Sequence, residues 1–489
     1  MTIHLTILLW LPAVAGLLGA FAGRRLAGVV TLAGSALTLA YAIVAVTRFK
    51  SGGGLQFVTD DVWISALGTH WKLGLDGLNL FLVLLTAVLF TASTAWAVLK
   101  GGYDRPGLFF FWLGLAHSAV LGALLAQDLL VFTVFFDLML VPFLFLTGMF
   151  GGEDRVRSVI RLFIYTLVGS LLMLAAAIAT AALLTTGGQH ISFVFSDLAA
   201  RGPLDHGSQN WIFLFFAAAF LIKMPAFPFH GWMPDGYLNM PMPVLAVFSG
   251  VLSKVAAYGF LKICLPFFPY ASAHFQTLLL LVALASILYG SAMAFTTTNA
   301  RLVLGYSSIA QLGFIVLGIF SLRPEGAQGA LLQAVNHGLV VAPAFFVVAL
   351  LAARAGGSED LRDMGGGAFR APVLAALFLV VALATLAMPG SSNFVGEFLI
   401  LLGVFRAKIV IAVVAFTGVA MASVYMLRMF IRAMHNRAGP KLESRELSLS
   451  DGFILVPLVL AILALALYPQ VALHRSERDV KASVTAVGP

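Results

Sequence analysis

Apolar stretches about as long as a membrane is thick follow one another along nearly the whole of this chain. A helix needs about 20 consecutive apolar residues to cross the hydrocarbon core of a bilayer. Fourteen such stretches occur, at residues 5–22, 26–47, 77–99, 107–125, 127–148, 159–186, 210–233, 243–266, 276–295, 300–320, 328–353, 371–403, 408–433 and 452–470. The pattern predicts an all-α polytopic membrane protein with about 14 transmembrane helices.

Composition excludes the common soluble classes. Of the 489 residues, 61% are hydrophobic and 10% are charged, whereas a soluble domain is roughly 45–50% apolar and about 25% charged. The single cysteine, Cys264, excludes a disulfide framework, a thiolate zinc site and a cysteine-ligated iron–sulfur cluster. Without a basic run interleaved with aromatic residues, we expect no nucleic-acid partner. The lipid bilayer is therefore the main surrounding of this chain.

The charges in the loops predict the orientation. An even number of spans places both termini on one side, and Arg24 and Arg25 follow the first span directly. Loops after odd-numbered spans carry the larger share of Lys and Arg, and such loops face the cytoplasm. We therefore expect a multi-pass protein of the cell membrane with both termini on the non-cytoplasmic side. The longest cytoplasmic loop, 434–451, is the candidate surface for a partner.

Five charged residues fall inside apolar stretches: Asp137, Lys223, Lys254, Lys262 and Glu397. A charge near the bilayer centre costs roughly 2.5–3.5 kcal/mol on insertion scales, and such residues face a bundle interior or water. The alternative for most of them is a static ion pair. Five costly charges at similar depth are difficult to explain by packing alone, so they predict a site.

Two spans are interrupted beside a charge. In KMPAFPFHGWMPDG, Pro225 and Pro228 remove backbone donors next to Lys223. In ATLAMPGSSNFVGEF, Pro389 and Gly390 interrupt the helix shortly before Glu397. Paired broken helices in two halves of a chain indicate an ion path.

These breaks lie in the seventh and twelfth spans, five helices apart, which predicts two inverted five-helix repeats. The predicted divisions are residues 1–106 with helices 1–3, 107–270 with helices 4–8, 271–435 with helices 9–13, and 436–489 with a cytoplasmic loop, helix 14 and the C-terminal tail.

The spacing of the buried charges suggests a proton path. Asp137 has no countercharge in its own helix, and Lys223 is its plausible partner, because a carboxylate and an ammonium lower each other's desolvation cost. Lys254 can carry a proton once it is buried. Tyr258 and Lys262 follow it at i+4 and i+8, on the same helix face, although Lys262 could simply extend to the membrane surface.

Histidines add titratable groups. His337 follows Asn336 in the middle of a span, and histidine is the side chain that ordinarily titrates near neutral pH. His117 is more simply a hydrogen-bonded structural residue, and His230, at the first helix break, suits a structural or gating role as well as proton transfer. A haem-bearing electron carrier would need paired histidines facing each other, which these unlike surroundings do not suggest.

The order of the motifs resembles a known family. LGLDGLN, FFDLMLVP, KMPAFPFHGWMPD, GVLSKVAAYG, GYSSIAQLGF, NHG and ATLAMPGSSNFVGEFLIL occur in order along the chain. Together they resemble the proton-translocating, antiporter-like subunits of NADH-quinone oxidoreductase, respiratory complex I. The acid at Glu397 is typical of the M type, whereas the L and N types usually carry lysine there.

The resemblance implies roles for five residues: Asp137 and Lys223 as the coupling pair, Lys254 as the central carrier, His337 as the relay and Glu397 as the exit acid. It also implies L-type and N-type membrane-arm subunits as partners. NADH, FMN, iron–sulfur clusters and quinone would bind to partner subunits, with no cofactor on this chain. The family's fifth-span acid is usually glutamate, so Asp137 places the geometry of the coupling pair in question.

Two related functions stay open at the level of sequence. A subunit of a multisubunit cation/proton antiporter would share the fold and the charges without a redox partner. A subunit of a proton-pumping membrane hydrogenase would share them as well. Because these alternatives differ in their partners, the residues of this chain do not separate them.

Overall fold

Helices account for all fourteen predicted stretches. The computed structural model describes residues 3–185, 190–437, 439, 443 and 445–488. The first half of the chain forms α1 (Leu5–Phe21), α2 (Ala27–Arg48), α3 (Leu80–Lys100), α4 (Pro106–Leu125), α5 (Leu129–Leu138), α6 (Leu140–Phe150), α7 (Arg155–Leu184), α8 (Phe195–Ala200), α9 (His206–Lys223), α10 (Met233–Asn239), α11 (Met242–Val247), α12 (Ser253–Gly259), α13 (Leu265–Phe267) and α14 (Pro269–His274).

The second half is also helical. It forms α15 (Gln276–Thr296), α16 (Ala300–Ile319), α17 (Pro324–Arg354), α18 (Pro372–Thr385), α19 (Ser392–Ala407), α20 (Ile409–Met434), α21 (Leu449–Leu467) and α22 (Gln470–Thr485). Within the described ranges, 11 helical segments are long and apolar enough to cross a membrane. The other predicted spans, α1, α9 and the α18–α19 pair, are short or interrupted. The prediction of a helical multi-pass membrane protein is confirmed, and the division into inverted repeats stays a prediction.

Both predicted helix breaks are present. The seventh span stops at Lys223 and resumes as α10 at Met233, and the twelfth stops at Thr385 and resumes at Ser392. Two further irregularities were not predicted. The fifth span is divided at Met139, one turn before Pro142, and the eighth contains two π-helical turns, Phe248–Leu252 and Phe260–Cys264. Because proline lacks an amide hydrogen and crowds the preceding turn, Pro142 explains the first.

A β-hairpin between the second and third spans departs from the all-helical expectation. Strands β1 (Gln56–Ile64) and β2 (Thr69–Leu75) pair antiparallel, with Asp60 opposite Lys72. The Asp60 carboxylate accepts hydrogen bonds from Lys72 Nζ at 2.8 Å and from the His70 ring at 2.7 Å. Opposite charges directly across a strand pair stabilise the pair. Hydropathy alone does not indicate such a pair.

The predicted C-terminal tail is the amphipathic helix α22. It packs against α17 and lies near the start of α3, where Asp479 Oδ2 accepts the Gly77 amide at 2.6 Å. Gln328 Nε2 donates to Leu473 O at 2.9 Å and holds the other side of α22. We call the end of the bundle that carries the hairpin and α22 the C-terminal face. Parts of the predicted partner loop 434–451 lie outside the described residues.

Candidate functional site: buried charged and polar residues

Lys254 lies at the centre of the bundle, between the two π turns of the eighth span. Its side chain is fully buried, and Nζ donates a hydrogen bond to Ser249 O at 2.6 Å. π turns widen a helix locally and are frequent at functional sites. Here the first turn supplies the carbonyl that holds the buried ammonium group.

His337 lies beside this region on the neighbouring helix α17. A Cβ atom on Gly338 would lie only 2.4 Å from Gly250 O, so the two backbones approach as closely as glycine permits. His337 is 3% exposed, and its Nδ1 has no hydrogen-bond partner among the described residues. Its electrostatic interaction with Lys254 places the two groups in one site.

Glu397 lies in the second turn of α19, directly after the broken region. Its carboxylate is 3% exposed and accepts a hydrogen bond from Gln311 Nε2 at 2.8 Å. Gln333 Nε2 donates to Gln311 Oε1 at 2.7 Å, which forms a short chain of amides that ends on the acid. The motif GYSSIAQLGF contains Gln311, but no role was predicted for Gln311 or Gln333. Polar side chains within apolar spans were the available signal.

α17 connects the two halves of the site. Gln333, Asn336 and His337 stand at i, i+3 and i+4 and share one helix face. Asn336 Nδ2 donates to Ser392 O at 2.6 Å, at the first residue of α19. Several buried polar atoms here have no partner in the described part of the chain, namely Asn336 Oδ1, His337 Nδ1, Ser391 Oγ, Ser392 Oγ and both side-chain polar atoms of Asn393. Such a polar interior is suited to hold water.

Lys223 ends α9, and the prolines that follow explain its surroundings. Pro225 ends the helix and frees carbonyls, one of which, Ile222 O, accepts the Trp232 indole N–H at 3.0 Å. Lys223 Nζ donates to Phe136 O at 2.9 Å and lies 4.2 Å from the centre of the Phe136 ring. The buried ammonium is therefore stabilised by a carbonyl and by a cation–π contact.

Asp137, the predicted partner of Lys223, does not contact it directly. The Asp137 carboxylate accepts a hydrogen bond from the Ser170 hydroxyl, and among the described residues no carboxylate lies within 4.0 Å of Lys223 Nζ. Lys223 Nζ contacts the carbonyl of the residue before Asp137 instead, and the role of Asp137 and Lys223 as a coupling pair stays a prediction. The two charges still interact at longer range.

The other singled-out residues lie elsewhere. Lys262 is not a free surface lysine, because its Nζ donates to Asp76 Oδ2 at 2.6 Å. His117 stacks on Phe90 with ring centres 4.5 Å apart, and neither of its ring nitrogens has a hydrogen-bond partner within the described ranges. His230 packs 4.6 Å from the Tyr289 ring beside the first break. The structure thus groups Lys254, His337 and Glu397 around α17, and it places Asp137 and Lys223 at the α5–α9 contact.

Comparisons with known proteins identify the family of this chain. The family model "NADH:quinone oxidoreductase/Mrp antiporter, TM" matches residues 126–423. NADH-quinone oxidoreductase subunit M of Mycobacterium tuberculosis is 35% identical, over 95% of this chain and 90% of that protein.

Two solved structures share the fold. A chain of respiratory complex I from Thermus thermophilus superposes with a TM-score of 0.91 at 32% identity, covering 99% of this chain and all of that one. A chain of the Mrp complex from Dietzia superposes with a TM-score of 0.86 at 23% identity, over 99% of this chain and 98% of its own length, and shows the fold alone. The chain therefore belongs to the NADH:quinone oxidoreductase/Mrp antiporter transmembrane family.

Proposed function

We propose that this chain is a membrane-arm subunit of NADH-quinone oxidoreductase that translocates protons across the cell membrane. The observation that carries the proposal is the group of titratable side chains buried around α17, Lys254, His337 and Glu397, within a fold that matches a complex I chain along its whole length. Ionisable residues are costly to bury within a membrane, and where they occur they commonly mark ion paths.

The proposed path has two parts. At the α5–α9 contact, Lys223 is bound to the carbonyl next to Asp137. A small movement of the kink would exchange that carbonyl for the carboxylate, and opposite charges attract far more strongly in a low-dielectric interior than in water. The helices that carry Lys223 and Lys254, α9 and α12, pack against each other, so in this proposal the exchange at Lys223 is passed to Lys254 through that helix contact. His337 and the Gln333–Gln311 chain lead from there to Glu397.

In this proposal the redox chemistry belongs to partner subunits. NADH, FMN, iron–sulfur clusters and quinone would bind there, and this chain would bind no cofactor. Its membrane neighbours would be the L-type and N-type antiporter-like subunits. Energy from quinone reduction would reach this chain laterally, through the movement at Asp137 and Lys223.

The second candidate is a subunit of a multisubunit cation/proton antiporter. The matching family model includes Mrp antiporters, and the Dietzia Mrp chain has the same fold. Affinity purification of the tagged chain from mild detergent separates the candidates. Co-purification of NADH dehydrogenase activity supports the first, whereas recovery of small antiporter subunits without that activity supports the second. If the chain belongs to a membrane hydrogenase, hydrogen-oxidising activity would co-purify with it instead.

The central test replaces Lys254 in the assembled complex. In proteoliposomes, Lys254→Ala should lower the number of protons moved per NADH oxidised at least threefold, because the carrier is lost. Lys254→Arg should fail equally, since a guanidinium keeps the charge but does not release a proton. Lys408→Ala, at an exposed position, is the control for general damage.

Normal pumping by Lys254→Ala would overturn the proton-path assignment. If Lys254→Arg pumps normally while Lys254→Ala does not, Lys254 is a fixed charge rather than a proton carrier.

A further inference from the structure

A cavity on the C-terminal face opens between the eighth span, the start of α3 and α22. Its volume is about 360 Å³, and its polar lining includes Asp76, Lys262, Asp479, Gln127 and Ser483. None of these residues belongs to the path described above. Three of them are ionisable and come from three separate parts of the chain, so only the tertiary structure brings them together.

The three ionisable groups are held in fixed positions. Asp76 Oδ1 accepts the amides of Leu78 at 2.9 Å and Asn79 at 3.1 Å, while Asp76 Oδ2 accepts a hydrogen bond from Lys262 Nζ at 2.6 Å. Asp479 Oδ2 accepts the Gly77 amide at 2.6 Å. Backbone amides just before α3 therefore hold both carboxylates. Leu78 and Asn79 donate to Asp76, and Gly77 donates to Asp479.

Tyr258 lies in the eighth span between Lys254 and Lys262. It follows Lys254 by one helical turn within α12, so both side chains lie on the same face. Its hydroxyl is fully buried, faces Asp76, Asn79 and Gln127, and has no well-formed hydrogen bond within the described part of the chain. A buried hydroxyl without a well-formed hydrogen bond is unusual, and a polar site of this kind is suited to hold water.

We propose that Tyr258, the Asp76–Lys262 pair and Asp479 form a proton passage between Lys254 and the C-terminal face. This inference rests on the proposed function and adds an outlet to it. With the orientation predicted from the loop charges, the passage releases protons on the non-cytoplasmic side. It serves Lys254 directly and does not include Glu397.

The transfer involves protons alone. The Lys254 ammonium leaves Ser249 O and loses a proton to water beside Tyr258. The hydroxyl accepts a proton on its oxygen and gives up its own, and the Asp479 carboxylate takes up one proton. Asp479 then releases a proton to the cavity. Bonds form and break only between hydrogen and nitrogen or oxygen, and nothing is oxidised or reduced. Lys262 donates its hydrogen bond to Asp76, which leaves Asp479 as the carboxylate that exchanges a proton.

The surroundings of Asp479 suit this role. Burial raises the pKa of its carboxyl above the ordinary value, and the Asp76 carboxylate raises it further. The Gly77 amide, Lys262 and Arg478 act in the opposite direction. A carboxyl whose pKa is raised by burial exchanges protons more readily near neutral pH.

Asp479→Asn is the informative variant. Asparagine keeps an oxygen that can accept the Gly77 amide, so α22 stays docked, but it carries no exchangeable charge. We expect proteoliposomes of the assembled complex to move at least threefold fewer protons per NADH oxidised. The pH profile of pumping should also lose one titration step. Glu477→Gln changes a carboxylate of the same helix outside this cavity and should pump normally.

Two further variants separate a proton role from a structural one. If Asp479 only anchors α22, Asp479→Ala would be impaired while Asp479→Asn pumps normally, and the proposal is overturned. Tyr258→Phe removes one hydroxyl that has no well-formed bond, so the fold is retained even if changes at 479 prevent assembly. It should lower the proton ratio, and a normal ratio contradicts the passage.

The same preparations distinguish the two proposals. Loss of pumping in Lys254→Ala with normal pumping in Asp479→Asn and Tyr258→Phe retains the proposed function and rejects the passage. Normal pumping in all of them rejects both.

Discussion

The Glu397 carboxylate shows how single residues make a buried charge tolerable. Burying an ionised carboxylate without partners is very costly, and the amide of Gln311, supported by Gln333, provides a donor at 2.8 Å. A hydrogen bond to a charged group contributes roughly 1.5–3 kcal/mol. These amides therefore help decide whether Glu397 is ionised within the bundle.

Replacing Gln311 tests this residue-scale role. Gln311→Leu removes the nearer donor and leaves Gln333 Nε2 at 3.4 Å from Glu397 Oε1, so the charged form of Glu397 should become less favourable. We expect the equilibrium between charged and protonated Glu397 to shift about tenfold, which corresponds to about 1.4 kcal/mol, and proton pumping to fall. Infrared difference spectroscopy should show a stronger protonated-carboxyl band.

The control is Gln276→Leu, because Gln276 bonds only to backbone carbonyls near Phe320. If both leucine variants pump alike, the amide chain has no special relation to Glu397.

Irregular helices position the site at the scale of elements. Regular helices satisfy their own backbone groups, which is why they dominate in lipid. Every charged residue of the proposed path except His337 lies at or near a break, a kink or a π turn, where backbone carbonyls become available to side chains. His337 instead lies where α17 meets the first π turn, at the contact of Gly338 with Gly250.

Gly338→Ala tests that helix contact. The added methyl would lie 2.4 Å from Gly250 O and 2.7 Å from Leu85 Cδ2, so α17 or the π turn must move. Overpacking of this kind typically costs 1–3 kcal/mol. The melting temperature of the purified complex and its proton pumping should both decrease.

Gly148→Ala is the matched helical control, since its new methyl would meet only Val159 Cγ2 at 3.6 Å. That variant should be neutral or about 0.5–1 kcal/mol more stable. Equal melting temperatures for the two variants would contradict the proposed close contact.

At the scale of the whole molecule, the two ends of the bundle differ. The hairpin, the Asp76 turn and α22 cover the C-terminal face with paired charges and backbone hydrogen bonds. The loops at the opposite end carry more of the basic residues, as the orientation prediction requires. The cavity beside Asp479 opens on the C-terminal face, so the direction of proton release depends on this orientation.

Cysteine labelling tests the orientation. Cys264 is buried and is the single cysteine of the chain, so an introduced exposed cysteine is labelled selectively. In intact cells freed of any outer barrier, a membrane-impermeant maleimide should label Ser51→Cys on the C-terminal face. Glu153→Cys, at the opposite end, should react only after the membrane is permeabilised. The reverse pattern would invert the predicted topology.

Much of the site was accessible from sequence because charges within apolar spans are conspicuous. Lys223, Lys254 and Glu397 stood out in this way, and the prolines identified the breaks beside two of them. Neutral polar residues such as Gln311 and Ser170 were missed, because a single amide or hydroxyl in a span has many harmless uses. The distance between Asp137 and Lys223 could not be predicted either, because it depends on a kink between two helices.

The sequence alone determined that lipid surrounds this chain, where its helices run and where two of them break, because hydropathy and proline act locally. The tertiary structure decided which groups meet. It placed Lys223 on the carbonyl of Phe136, placed Gln311 on Glu397, and brought Asp76, Lys262 and Asp479 into one cavity. Such contacts join residues between 86 and 402 positions apart, and their geometry follows from the packing of whole helices rather than from any local pattern.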